Sequence, residues 1–251
     1  MDNQEPTMTP EDSSLGTTIA NVFASPTEAF QGLNNAPPKA MNWVLPMILM
    51  AALGVLFVYL IFTNEVIKAQ IFDMQAQQFD KAVQDGSMTQ QQADQIRDQM
   101  GQTGIGLFMV FGSLPILIFT AAYFFVGALF LWLSAKILWK SPVKYGKFLE
   151  VYGIATWIGV LGTVITMGTV LGMNSMFATP SLGLLFADSY NPLDTMHKFA
   201  SAINIFSIWQ ALVTGIGISV LAGKPTGNGI VIALVLWAIW VGIGVPLGIL
   251  R

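Results

Sequence analysis

The chain has 251 residues, of which 54% are hydrophobic and only 10% are charged, with a formal net charge of −3. Soluble domains carry about 25% charged residues, so this composition indicates a polytopic membrane protein. The small negative charge argues against a nucleic-acid partner. The absence of cysteine excludes disulfides, thiolate metal ligands and cysteine nucleophiles.

The amino-terminal residues precede the first long apolar run. Residues 1–14 are polar and acidic, which predicts a disordered cytoplasmic tail without a cleavable signal. Residues 15–42 form a cytoplasmic amphipathic segment, because apolar residues recur there at helical spacing and Ser25-Pro26 is a typical helix start. This segment either lies on the inner membrane surface or packs against the cytoplasmic ends of the membrane helices.

The remaining chain, residues 43–250, reads as an all-α membrane domain with five spans. Each span is an apolar run long enough to cross the ~30 Å hydrocarbon core as a helix. The second belongs to an apolar stretch that extends from 105 to 139, where Pro115 is expected to kink or break the helix. The predicted spans are about 43–62, 115–138, 151–173, 199–222 and 230–250.

Two connections between the spans are long enough to carry structure. Residues 64–103 predict an extracytoplasmic helical hairpin, in which Asp85-Gly86 forms the turn and Thr89 with Gln92 resembles a capping box. The second connection, 174–198, contains an apolar stretch at 181–187 that is too short to cross and is expected at the membrane interface. A helix starting with Asn191 as its cap is predicted to follow.

The orientation follows from a basic turn between the second and third spans. Its four lysines fall within residues 136–147, and no acid occurs until Glu150. Short basic loops resist translocation, so the turn, the amino terminus and the 223–229 turn are predicted inside and the carboxyl terminus outside. The expected location is a prokaryotic inner membrane. The topology-determining lysines are Lys136, Lys140, Lys144 and Lys147.

No catalytic residue, cofactor site or metal site is predicted. The predicted spans hold no acidic or basic pair, and His197, the single histidine, is placed at a membrane edge. Asn204 and Gln210 predict hydrogen bonds between helices, with a polar substrate or headgroup site as the alternative. Glycine pairs such as Gly168 and Gly172 predict close helix contacts, either within the chain or between copies.

The fourth span carries a family resemblance. It contains the stretch INIFSIWQALVTGIG at 203–217, and the segment VFASPTEAF at 22–30 precedes the first span. Together with the lysine turn, these stretches resemble Yip-family membrane proteins, Ypt-interacting proteins and their prokaryotic relatives, over roughly residues 20–250. The family-like packing motif comprises Phe206, Trp209, Gln210, Gly215 and Gly217.

The resemblance implies five spans, a cytoplasmic amino terminus and a short carboxyl terminus on the far side. Eukaryotic members act in vesicle traffic and bind prenylated Rab GTPases, but the long cytoplasmic amino-terminal region associated with that function is missing here. Asn204 stands where members often have an acid. The resemblance therefore implies the fold and not the Rab partner.

Three classes of function compete. The leading hypothesis is a non-enzymatic scaffold or organiser, whose partners are membrane lipids, a second copy or another membrane protein. The alternative is a small-molecule transporter or channel subunit, for which matching Gly- or Pro-broken helices would be the sequence signal. A membrane enzyme is the least favoured because the predicted spans hold no acidic or basic residue other than Lys136, near the end of the second.

Reporter fusions test the predicted topology. A periplasm-active reporter is expected to be active after residues 86, 189 and 251, because these positions fall on the outer side. The same reporter is expected to be inactive after residues 141 and 227. Activity after residue 141 would reverse the assigned orientation.

Overall fold

The computed structural model describes residues 14–102, 105–187 and 189–250, without the side chains of residues 100–109. This described part is helical, and apart from one isolated bridge it has no strand pairing. The helices are α1 Leu15–Ala24, α2 Pro26–Asn35, α3 Met41–Thr63, α4 Glu65–Gln84, α5 Gln90–Gln102, α6 Ile105–Trp139, α7 Tyr145–Met173, α8 Thr195–Ala202, α9 Ile205–Ala222 and α10 Thr226–Gly244. The predicted all-α class is confirmed.

Five of the described helices are long and apolar enough to cross a membrane: α3, the Val110–Trp139 part of α6, α7, α9 and α10. Large apolar side chains on them are exposed, including Phe119 and Phe130 on α6 and Val231 on α10. Contiguous apolar surface of this kind is unfavourable in water and suits lipid. The protein is therefore an integral, multi-pass membrane protein, as its composition predicts.

The fourth and fifth spans differ in extent from the predicted ranges. Helix α9 begins at Ile205 rather than near 199, because the Leu182 N–H donates to the Ile203 carbonyl and the Ile205 N–H donates to that of Pro180, both at 3.1 Å. These bonds divert the backbone from a continuous helix. Helix α10 ends at Gly244, and Pro246 follows, whose missing N–H does not support further helix.

The predicted break at Pro115 is not found: α6 is one helix from Ile105 to Trp139. A proline removes one backbone hydrogen bond, and membrane helices tolerate that loss where neighbouring groups compensate. Pro46 likewise lies inside α3. Pro46 has no N–H, so the Asn42 carbonyl does not receive the usual helix hydrogen bond from it. The same carbonyl oxygen lies close to Gly153 of α7, where an added Cβ would be 2.5 Å from it.

The described chain divides into two compact units. The first comprises residues up to Leu49, Ala121–Leu161 and Phe206–Ile239, and it contains the larger hydrophobic core. The second comprises Met50–Thr120, Gly162–Ile205 and the residues from Trp240 onward. The core of the first unit draws on the amino-terminal helices as well as on membrane helices, with Phe30, Phe148, Ile154, Ile158 and Ile218 among its fully buried side chains.

The second unit contains the hairpin of α4 and α5. The Arg97 guanidinium lies 2.6 Å from the Asp80 carboxylate and joins the two helices. The predicted capping box is confirmed, because the Thr89 N–H donates to Gln92 Oε1 at 2.9 Å and the Gln92 N–H donates to Thr89 Oγ1 at 3.2 Å. Gln70 bonds the end of α7 twice, donating to the Asn174 carbonyl and accepting from the Met176 N–H.

The N-cap of helix α8 lies three residues later than the predicted cap at Asn191. Its N-cap is Asp194, whose carboxylate accepts from the Met196 and His197 N–H groups at 2.7 and 3.3 Å. The Asn191 side chain instead accepts from the Leu193 N–H, which forms a local turn. Asn and Asp are both favourable N-cap residues, and here Asp194 is the N-cap of α8.

Candidate functional site

The amino-terminal helices α1 and α2 form a segment that we call the arm. Helix α1 starts at Ser14, whose hydroxyl accepts from the Thr17 N–H at 3.2 Å. Helix α2 starts with Pro26 at its first position and ends at Asn35, ahead of Pro37-Pro38. The extended backbone of Ala36, with φ −93° and ψ 155°, is the conformation that a following proline imposes.

The arm packs against membrane helices within the first unit. Val22 and Phe30 are completely buried, and the Phe23 ring meets the Trp209 ring edge-on with centroids 5.8 Å apart. Phe30 lies against Gly217 of α9, where an added Cβ would be 3.0 Å from its ring. The arm therefore packs along α9, from Trp209 near the start of that helix to Gly217 further along it.

Glu150, near the start of α7, is the centre of a buried polar network beside the arm. Its side chain is 1% exposed, and its Oε1 accepts from the Lys39 N–H at 2.7 Å and from Asn42 Nδ2 at 2.8 Å. Its Oε2 lies 2.8 Å from Lys147 Nζ. Oε2 has no directed hydrogen bond within the described chain, so its contact with Lys147 is an ion pair.

Lys147 joins this network to the arm. Its Nζ donates to the carbonyls of Leu33 and Ala36, both at 2.8 Å, at the end of α2. The last carbonyls of a helix lack internal partners and carry partial negative charge, so an ammonium group stabilises them. Lys147 and Glu150 therefore connect the arm, the start of α3 and the start of α7.

The electrostatics of the network are those of a compensated buried pair. Two charges are costly to remove from water, and extra hydrogen bonds such as those from Lys39 and Asn42 offset part of that cost. Because Glu150 is occupied by three partners, it is not a free carboxylate facing a cavity. Its chemistry here is structural: it fixes the positions of three chain segments.

A small cavity adjoins the network, with a volume of about 120 Å³. It lies between the arm and the segment that leads into α3. Its lining includes Ser14 and Thr18 from α1, Leu33 from α2, and Lys39 and Asn42. Among the described residues, no group of three His, Cys, Asp or Glu side chains is placed to hold a metal ion.

The four predicted topology lysines have different surroundings. Lys136 lies over the Trp132 ring, with Nζ 4.6 Å from the ring centroid. Lys140 and Lys144 are exposed, and Lys140 adopts a positive φ of 51° directly after α6. Of the four, Lys147 is the one that pairs with an acid among the described residues.

The packing motif of α9 contacts different neighbours. A Cβ on Gly215 would lie 2.5 Å from the Ile230 Cα of α10, and one on Gly217 would lie 2.5 Å from Val151 Cγ1 of α7. Gln210 Nε2 donates to Thr156 Oγ1 of α7 at 3.4 Å. The Phe206 and Trp209 rings lie 6.4 Å apart. Gly168, by contrast, has open space around it, although it belongs to one of the predicted small-residue pairs.

Sequence reasoning missed Glu150 as a buried group, because the predicted third span began one residue after it. A usable signal was present. Glu150 is the only acid near the lysine turn, and it lies three residues after Lys147, a spacing that places both side chains on one helix face. The roles of Lys39 and Asn42 had no sequence signal, since they meet Glu150 from a distant part of the chain.

The five apolar helices and the packed arm define a multi-pass membrane protein. Among the described residues, its one ion pair with a fully buried carboxylate, Glu150 with Lys147, lies beside the arm. The sequence matches the Yip1 domain over residues 20–247. The chain belongs to the Yip1 domain family. Comparison with curated proteins and with solved structures found no match.

The first prediction from this site concerns the ion pair. Glu150→Ala is expected to lower the free energy of unfolding by about 3–5 kcal/mol, because it leaves Lys147 charged and buried without its partner. Adding Lys147→Ala is expected to cost less than the sum of the two single changes. Unfolding in mixed micelles with increasing SDS, followed by tryptophan fluorescence, measures each variant.

Lys144→Ala is the matched control, because Lys144 is an exposed lysine of the same turn. It is expected to change the free energy of unfolding by no more than about 0.5 kcal/mol. Strict additivity of the Glu150 and Lys147 changes would contradict the interpretation that they act as a pair.

A second prediction concerns the α9 glycine face. Gly217→Leu is expected to destabilise the protein by about 1–3 kcal/mol or more, because the added side chain collides with Val151 and Phe30. Gly168→Leu, made in open space on α7, is the control and is expected to be tolerated. Thermal melting in mild detergent compares the two, and equal melting temperatures would count against a tight contact at Gly217.

Proposed function

We propose that the protein is a non-enzymatic organiser of a prokaryotic cytoplasmic membrane, a scaffold that acts through contacts with lipids or protein partners. In this proposal the amino terminus is cytoplasmic and the carboxyl terminus is on the far side. The orientation is supported by the lysines at 136–147, which the positive-inside rule keeps in the cytoplasm.

The observation that carries the proposal is the bonding of Glu150. Carriers and membrane enzymes use ionisable groups that face a substrate or a water-filled cavity. The Glu150 carboxylate instead accepts hydrogen bonds from the Lys39 N–H and the Asn42 amide and forms an ion pair with the Lys147 ammonium. A charge used in this way holds the arm in a fixed position, and we call the arm held by Glu150 and Lys147 the platform.

The platform presents a polar surface. Residues on the outer side of α2 are exposed, whereas Phe30 and Leu33 on the same helix face the core. The exposed residues are Thr27, Glu28, Gln31, Asn34 and Asn35. A rigid polar helix face above a membrane domain suits contact with a protein partner or with lipid headgroups.

Photo-crosslinking in native membranes tests this role. A photoreactive amino acid replaces Gln31, on the exposed side of α2, or Gln91, an exposed control on α5. We expect defined adducts at position 31, either a lipid or one protein, identified by mass spectrometry. The same adducts are expected to weaken in a Glu150→Ala background, because the arm loses its attachment.

The transporter alternative predicts a different result. Purified protein in sealed vesicles would then carry a proton or solute flux above that of empty vesicles, and Glu150→Gln would reduce it. We expect no such flux. A flux that depends on Glu150, without adducts at position 31, would overturn the scaffold proposal.

A further inference from the structure

Apolar side chains cluster on the connection between α7 and α9, outside the candidate spans. A 3-10 turn at Leu182–Phe186 and the short helix α8 carry them. Leu185 is 80% exposed and Met196 is 75% exposed, among the highest values for large apolar residues in the described chain. Leu182 and Leu184 are exposed as well. We call Leu182, Leu184, Leu185 and Met196 the leucine wedge.

The backbone holds the wedge at the start of a membrane span. Ser181 and Asn204 form an isolated antiparallel bridge, the Leu182 N–H donates to Ile203, and the Ile205 N–H donates to Pro180. Ile205 is the first residue of α9, so the 3-10 turn is bonded directly to the start of a candidate span. Residues three apart eclipse on a 3-10 helix, which places Leu182 and Leu185 on one side.

Other contacts keep the wedge from folding back onto the protein. Gly183 is buried against α8, where a Cβ would meet the Ser201 Cα at 2.9 Å. The rings of Phe177, Tyr190, His197 and Phe186 follow one another with centroid separations of 4.2, 5.7 and 4.6 Å. His197 Nδ1 also accepts from the Asn191 N–H at 3.0 Å. The aromatic rings therefore fill the inner side of the connection, and the aliphatic residues remain outside.

We infer that the leucine wedge inserts into the acyl-chain region of the leaflet at this end of α9. Lipid is the occupant because the exposed surface is continuous with that of the spans: Ile205 is 63% exposed at the start of α9, and Met173 is exposed at the end of α7. Aliphatic side chains at the depth of a span entrance meet lipid without any further partner. This inference rests on the proposed function, for which it names one lipid contact.

The cysteine-free chain makes the test direct. Single variants Leu185→Cys, Met196→Cys and Gln91→Cys are labelled with the environment-sensitive dye NBD and reconstituted in phosphatidylcholine–phosphatidylglycerol vesicles. At positions 185 and 196 we expect blue-shifted emission, strong quenching by lipids with a doxyl group on carbon 5 of the acyl chain, and weak quenching by iodide. At position 91, exposed on the α4–α5 hairpin, we expect emission without a blue shift, weak quenching by the doxyl lipid and strong quenching by iodide.

Two results would overturn the inference. Iodide quenching at position 185 equal to that at position 91 would place the wedge in water. Protection from both iodide and doxyl lipid would mean that a protein surface, such as a second copy, covers it. Unchanged tryptophan emission of each variant establishes that it is folded. The wedge is measured separately from flux and crosslinking, so failure of the wedge inference and failure of the scaffold proposal give different results.

Discussion

The buried contact between Glu150 and Lys147 is the constraint on which the first unit depends. Lys147 holds the end of α2 through the Leu33 and Ala36 carbonyls, and Glu150 holds the Lys39 N–H and the Asn42 amide. The Glu150 side chain is 1% exposed and that of Lys147 is 13% exposed, so removing either partner leaves the other charge largely out of water without its counter-ion, which is strongly destabilising. Together these contacts attach the end of α2 and the start of α3 to the start of α7.

Two glycines, Gly153 and Gly217, allow the close packing of α3, α7, α9 and the arm. Gly153 of α7 lies so close to α3 that a Cβ would be 2.5 Å from the Trp43 Cα, and Gly217 leaves room for Phe30 of the arm. Close approach of this kind is how membrane helices gain packing energy, since lipid provides no hydrophobic force to bring them together. The glycines and the ion pair therefore serve one packing arrangement, and all of them lie within the residues 20–247 that match the Yip1 domain.

Much of this architecture is readable from the sequence. Helices longer than about 18 apolar residues need no tertiary information to be recognised, because backbone groups in lipid must bond within their own segment. The capping box of Thr89 and Gln92 is equally local. A local sequence does not decide between two neighbouring residues that are equally good N-caps. Asn191 and Asp194 are such a pair, and the structure has Asp194 as the N-cap of α8.

The sequence by itself determined the class of the protein, its five apolar helices and its family resemblance, since these depend on composition and on periodicity along the chain. Only the tertiary structure decided where Glu150 lies, that Lys147 caps the arm, and that α9 starts at Ile205. Each of these depends on residues that are distant in sequence, such as Pro180 with Ile205 or Asn42 with Glu150. Contacts of that kind leave no periodic pattern, because they are set by how the helices pack and not by what each helix contains.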